Sequence, residues 1–277
     1  KSYAEKYPDI IKPILQKKNQ YSKGVPINET FNFPRAKGKY IALCEGDDYW
    51  ISKDKLQKQV DYMESNPDCS FCFTNGIIKD LSGQKADRNF IPYYENEAKY
   101  YNAEDKSYDV GEIIKLSFIP TATFLFPTST LKAMPSTFHD KMCPYGDLRF
   151  KLFFTAAGYA RYIHIFSSVY RENVPNSALA LWSKEDKAVM FDRYSRAVEM
   201  LEDLDDYTKA KYRKEIYEGM GIFLHSMLFC ANSLDVLKDN DLKAEYNKLS
   251  LMDKFKFYTK ILMPTKLLNL IKKLIRR

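Results

Sequence analysis

Arg35-Ala-Lys-Gly-Lys-Tyr-Ile-Ala-Leu-Cys-Glu-Gly-Asp-Asp-Tyr-Trp50 is the stretch on which the fold of this 277-residue chain turns. After Gly38, Lys39 to Cys44 is a short continuous apolar run, the pattern of a strand buried on both faces of a parallel-type sheet. It ends abruptly in Glu45, Gly46, Asp47 and Asp48. Carboxylates at the C-terminal end of a buried strand stand where open α/β sheets bind their ligands. Held so close, they repel one another and raise each other's pKa unless a cation neutralises them, and hard oxygen donors favour Mg²⁺ or Mn²⁺. A metal held by one or two protein carboxylates completes its shell with water and substrate phosphates, which suggests a nucleoside diphosphate. Gly-Asp-Asp is also a common turn, so the residues alone leave a plain acidic turn standing beside the metal site.

Working outward, Ser52 is placed as an N-cap, Leu56, Val60 and Met63 as one apolar helix face, and Asn66-Pro67 as the stop. Cys69 to Thr74 and Thr121 to Phe126 follow as strands, Leu148 to Ala157 as a helix closed by Gly158 at C′, and Tyr159 to Tyr170 as a returning strand. Residues 79–110 are polar and tyrosine-rich without a sustained period, which predicts a long loop over the sheet. Ser183-x-x-Asp186 is a capping-box-like start, and the proline-free stretch from there to about Lys238 marks a change to a helical region near residue 180.

The net charge of +7 is concentrated in the tail: residues 254–277 hold eight cations and no acid, which leaves the remainder within one charge of neutrality and argues against nucleic acid as a partner. After Pro264, Leu267, Leu268, Leu270, Ile271, Leu274 and Ile275 share one helical face, with Lys272, Lys273, Arg276 and Arg277 toward the other. That pattern is too short to span a bilayer and suits an anionic membrane surface, or a core-packing helix with solvated lysines. The five cysteines include one Cys-x-x-Cys pair, Cys69 and Cys72, inside an apolar run with no further ligands at zinc spacing, so they read as reduced thiols. A cytoplasmic location, peripheral at the inner face of the membrane, follows as the expectation. Lys1 to Lys6 show neither an initiator methionine nor a leader pattern, so the chain is expected to open partway through a longer protein.

The quoted stretch, followed by Lys55-Leu-Gln-Lys-Gln-Val60 and Asn66-Pro-Asp68, closely resembles family 2 glycosyltransferases of the GT-A type. There an Ala-Arg-Gly-x-Tyr-Ile strand leads into an Asp-x-Asp-Asp metal motif, a tryptophan or tyrosine, and a helix ending in Asn-Pro. The resemblance implies a GT-A-like, Rossmann-like mixed α/β sheet flanked by helices, lacking the first βαβ unit. The expected division is a partial catalytic domain over 1–180 and a helical C-terminal region with a basic amphipathic tail over 181–277.

By the same resemblance Glu45, Asp47 and Asp48 bind the nucleotide sugar, and Asp47 holds the Mn²⁺ or Mg²⁺. Glu45 stands where the family usually has aspartate. Tyr145-Gly-Asp147-Leu-Arg-Phe150 matches the segment that carries the family's catalytic base, which makes Asp147 the candidate; the residues alone equally allow a first-turn carboxylate favoured by the helix dipole. Tyr170-Arg-Glu-Asn173 matches a Tyr-Arg-x-His segment, with Asn173 in place of the metal-binding histidine. Trp50 and Tyr145 are the candidate acceptor-binding residues, Trp50 also being open to a core-packing role, and Tyr93 and Tyr94 are further rings able to stack on sugars. The implied function is inverting transfer of a sugar from a nucleoside-diphosphate donor, UDP first among them, to a glycan or lipid-linked acceptor in surface polysaccharide assembly. A metal-dependent nucleotidyltransferase and an inactive membrane-associated binding protein are the alternatives.

Overall fold

In the computed structural model, which describes residues 2–20, 23–101, 103–140, 145–175, 177–182 and 184–262, the scaffold is a mixed seven-stranded sheet. Its strands are β1 (Tyr40–Ala42), β2 (Tyr49–Trp50), β3 (Cys69–Asp80), β4 (Arg88–Asn89), β5 (Lys106–Tyr108), β6 (Leu125–Pro127) and β7 (Tyr159–Glu172). The order is β1-β6-β3-β7-β2, with β4 added to β3 and β5 to β7. The long central pair β3 and β7 runs parallel, from Cys69 opposite Tyr159 to Asp80 opposite Glu172, and the other pairings are antiparallel. Apolar residues on both faces of β3 explain its central place: Phe71 and Phe73 pack on one side, Cys69 and Cys72 on the other.

The strand before the acidic turn is shorter than expected. Only Tyr40–Ala42 pair, at the end of the sheet path and half-buried, and their hydrogen-bonding partner β6 is antiparallel. The apolar run instead reaches the interior through Leu43, whose N–H donates to Phe124 O at 3.2 Å. The other expected strands are longer or displaced: β3 extends six residues past Thr74, while Thr121–Thr123 form a 3₁₀ turn and only Leu125–Pro127 pair.

Helix α1 (Lys55–Ser65) follows the turn, with Asp54 rather than Ser52 at the N-cap; the Ser52 hydroxyl accepts from Asp54 N, two residues further along the chain. Its buried row is Lys55, Gln59 and Met63, and Leu56 faces solvent. The polar pair is tolerated because it is bonded: Lys55 Nζ donates to Gln59 Oε1 (3.0 Å) and Gln59 Nε2 donates to Thr123 O (2.8 Å). The tyrosine-rich stretch is a connection punctuated by β4, a 3₁₀ segment at Glu95–Tyr100, β5 and the short α2 (Val110–Ile113). Buried Asn75 of β3 pins it, accepting from Ile91 N (2.9 Å) and donating to Ile91 O and Tyr101 Oη.

Helix α3 (Gly146–Ala156) enters β7 through Ala157 and Gly158. Gly158 is not a left-handed C′ residue; it is required by space, since a Cβ there would lie 2.2 Å from Asp68 O. Beyond it, α4 (Lys187–Tyr207) is capped by Asp186, whose carboxylate accepts from Ala188 N and Val189 N; Ser183 lies outside the described residues. A turn with Lys209 and Ala210 at positive φ reverses the chain into α5 (Arg213–Cys230), then α6 (Asn240–Lys248) and α7 (Leu251–Leu262) follow.

These helices share one apolar core with the sheet. Phe71, Phe124, Phe126 and Phe154 continue through Phe153 to Leu201, Leu204, Ile216 and Leu228, with Phe153 and Tyr207 stacked at 5.7 Å. Each such side chain contributes about 1.5–3 kcal/mol on burial. No described helix is long and apolar enough to cross a membrane. The expected amphipathic tail beyond Pro264 lies outside the described residues. Cys69, Cys72 and Cys230 are buried free thiols, whereas Cys44 is an exposed one.

Candidate active site

Asp48 N–H donates to Glu45 O (3.1 Å), closing a tight turn between Leu43 and β2. Arg171 of β7 holds that turn from the other side: its N–H donates to Asp48 Oδ1 (3.1 Å) and its Nε to Asp47 O. Asp48 is therefore drawn into the backbone of β7, and its second oxygen, Oδ2, is buried without a hydrogen-bond partner. Burial pushes the Asp48 carboxyl up to about 6 against the pull of the Arg171 backbone.

Glu45 keeps access to solvent at the mouth of the turn, yet the enclosing protein and the charges of Asp48, Asp147 and Asp47 raise it to about 8. A hydrogen bond from Thr121 works in the opposite direction. The 3₁₀ turn that replaced the expected strand thus organises the site: Thr121 meets Glu45, Ala122 O accepts from Trp50 Nε1 (2.6 Å), and Thr123 O accepts from Gln59. Trp50 is fixed by that bond, with buried Lys55 4.6 Å from its ring centroid. Burial lowers Lys55 to about 8.

Asp147 sits in the first turn of α3, one hundred residues downstream of Asp47 in sequence and within electrostatic reach of Glu45. Burial raises its pKa, while the N–H groups of Leu148 and Asp147 itself and the ammonium of Lys151 oppose the rise. Lys151, one turn further on and 1% exposed, donates to the carbonyls of Leu116 and Ser117, and burial holds it down to about 8. Arg149 ties the same helix to Glu29 and to Phe138 O.

The structure therefore brings Glu45, Asp47, Asp48 and Asp147 into one acidic neighbourhood, with Trp50 on its flank. Tyr145 packs against Trp182 and Phe223, on the side of the helices. Asn173, at φ 62°, donates through Nδ2 to Asp80 Oδ1 (2.7 Å), leaving its carbonyl oxygen as the atom a cation could use. Tyr93 and Tyr94 pack edge-on against each other, and Tyr93 against Phe118. Sequence reasoning missed Thr121, Lys151 and the bracing role of Arg171. Lys151 lies one helical turn from Asp147, and that spacing is the signal from which it could have been found.

Among the described residues no three His, Cys, Asp or Glu side chains converge as a ready-made metal cage. The donor set fits the sparser ligation of Mg²⁺ or Mn²⁺ by one or two carboxylates. Asp47 supplies a carboxylate in the turn, and the unpartnered Asp48 Oδ2 supplies buried negative charge beside it.

Comparison with known proteins bears on the first half of this site. Residues 1–119 match the glycosyl transferase family 2 model. The chain is 45% identical over 71 residues to an uncharacterized protein of Mycobacterium tuberculosis, covering 26% of this chain and 20% of that one. It is 31% identical over 84 residues to TuaG of Bacillus subtilis, named as a candidate teichuronic acid biosynthesis glycosyltransferase, covering 30% and 31%. It is 32% identical over 108 residues to an uncharacterized glycosyltransferase of Methanocaldococcus jannaschii, covering 39% and 33%. The chain thus spans a third or less of the length of these relatives. The family match includes Glu45 to Trp50 and ends before Asp147.

Proposed function

We propose that the protein, whose residues 1–119 match the glycosyl transferase family 2 model, transfers a sugar from a nucleoside diphosphate to an acceptor hydroxyl with inversion, using Asp147 as the base. The observation that carries this reading is the approach of Asp147, on α3, to the acidic turn at the end of the β1 segment, near enough for its charge to raise the pKa of Glu45. One end of that neighbourhood is suited to a diphosphate and its cation, the other to an incoming hydroxyl. A divalent ion held by Asp47 would stabilise charge on the departing diphosphate.

The chain's own residues supply the rest. Arg171 and Thr121 hold the acidic turn in place, and Glu45 is positioned to accept from a ribose hydroxyl. Asp147, with its pKa raised by burial, is suited to take the acceptor proton as its oxygen attacks the anomeric carbon. Alignment of the two substrates and charge stabilisation account for most of the acceleration, since the displacement needs no covalent intermediate.

A surface-polysaccharide role accords with the name of the Bacillus subtilis relative. Attachment to an anionic membrane surface accords with α7, which leaves Leu251, Met252, Phe255 and Leu262 exposed just before the basic tail. The test is calorimetric titration of UDP with and without Mn²⁺ into the parent and Asp47→Ala, followed by product analysis with UDP-sugars. Metal-dependent binding lost in the variant, with release of UDP and not pyrophosphate, supports the proposal; absence of binding under every condition overturns it.

A further inference from the structure

Behind Asp147 lies a cleft of about 780 Å³ that the acidic turn does not line. Its walls come from three places: Tyr94, Glu97 and Phe118 of the connection over the sheet, Tyr145 and Asp147 at the start of α3, and the facing sides of α4 and α5 through Tyr194 and Phe223. The close approach that forms it is built in, since a Cβ at Gly219 of α5 would lie 3.0 Å from Ile114 Cδ1. Aromatic rings on several sides offer flat apolar surfaces of the kind that stack on sugar faces.

The polar groups of the cleft are unbalanced. Glu97, Asp147, Glu215 and Glu218 line it against the single lysine Lys115. Glu97 is 5% exposed; its Oε1 accepts from Ser117 N (3.1 Å), and its Oε2 is buried with no hydrogen-bond partner. An unpartnered buried carboxylate oxygen is costly unless a donor arrives. Lys151, within electrostatic reach of Glu97 and Asp147, offsets part of this charge, but its ammonium donates to the carbonyls of Leu116 and Ser117 and makes no hydrogen bond to Glu97 Oε2.

We propose that this cleft is the acceptor site and that it takes a neutral or amino-bearing glycoside, stacked on its aromatic walls and donating a hydroxyl or ammonium hydrogen to Glu97, while rejecting anionic sugars. The proposal rests on the reading of Asp147 as the base that faces the acceptor. Excess acid repels a carboxylate or phosphate on the incoming group, whereas hydroxyls and ammonium groups are the donors that Glu97 lacks.

The test titrates p-nitrophenyl glycosides of glucose, galactose and N-acetylglucosamine, and the glucuronide and galacturonide of the same aglycone, into the full chain at low salt, with UDP and Mn²⁺ titrated in parallel. At least one neutral glycoside is expected to bind about tenfold or more tightly than its uronide. Ile222→Trp, which fills the cleft from α5, is expected to weaken that glycoside about tenfold and leave UDP binding within about twofold. Glu97→Gln, which retains an acceptor for Ser117 N, is expected to weaken it several-fold and narrow the gap to the uronide. Equal or tighter binding of the uronides, no glycoside binding by a chain that binds UDP, or indifference to Ile222→Trp overturns the proposal. Neutral-glycoside binding with these responses but without UDP binding supports the cleft and defeats the transferase reading, so the two failures are separable.

Discussion

The acidic turn and the helical cleft meet at Asp147 but are built in opposite ways. The turn spans four consecutive residues whose chemistry is set by their adjacency, with Arg171 as its brace. The cleft draws on residues from Tyr94 to Ser226, and apart from Tyr145, Asp147 and Leu148 at the start of α3 they come from segments that share no motif. A local constellation is recognisable across distant relatives, and the family match covers the turn. An assembled one depends on packing, and most of the cleft lies beyond residue 119.

Asp147→Asn probes that junction most severely. Transfer is expected to fall about 10²- to 10⁴-fold, the range for loss of a general base, with UDP binding within about twofold of the parent. Equal loss of both would make Asp147 part of the donor side and dissolve the division. Gly158→Val tests whether both regions hang on one scaffold. Its Cβ would collide with Asp68 O where α3 enters β7, so a loss of about 1–3 kcal/mol in unfolding free energy is expected, with donor and glycoside binding failing together on heating. Binding losses at separate temperatures would instead mean that the helices unfold as an independent unit.

Arg171→Met sharpens the comparison from the donor side. It removes the Nε bond to Asp47 O while sparing the backbone bond to Asp48, and is expected to weaken UDP·Mn²⁺ about three- to tenfold with glycoside binding unchanged. A change in glycoside affinity of similar size would show that the two sites are coupled through β7.

The smallest effect is on stability against pH without metal. Glu45 and Asp48, raised to about 8 and 6, keep protons in the folded chain that the unfolded chain gives up, so their contribution is full below about pH 4 and declines as pH rises toward 8. Lys55 and Lys151, lowered to about 8, have the opposite sense above that point: the unfolded chain stays protonated there, so stability recovers as pH rises from 8 toward 9.5. Above pH 8 the buried thiols of Cys69 and Cys72, raised by burial, oppose that recovery. Thermal melts should therefore show stability falling from about pH 4 toward 8, and Glu45→Gln should flatten that limb; a parent curve that does not fall there would contradict the Glu45 and Asp48 assignments.

Much of the acidic turn and its surroundings is legible in the sequence. The apolar run into Glu45, the helix ending at Asn66-Pro67, and strands at Cys69 and Tyr159 are all present, because adjacency and period are written along the chain. The boundaries and faces were less so. The expected face of α1 holds at Met63 and Val60 and fails at Leu56, because Lys55 and Gln59 look solvent-facing until Thr123 O is known to accept from Gln59. Thr121 to Thr123 read as strand from their β-branched residues, but Pro120 O accepts from Thr123 N (2.8 Å) and closes a turn. Asn75 gave no hint of pinning a loop, since a buried amide is meaningful only when its partners are in place.

Order along the chain was enough to set the chemistry of the acidic turn, where three carboxylates crowd within four residues whatever surrounds them, and to place an aspartate at the head of α3. It took the fold to bring that aspartate within electrostatic reach of Glu45, to turn Asp48 into β7, and to bury Glu97 with an oxygen unpartnered in an acid-rich cleft. The reason is physical: repulsion between adjacent charges needs no fold, whereas burial and hydrogen-bond satisfaction are properties of neighbours that the chain brings together from far apart.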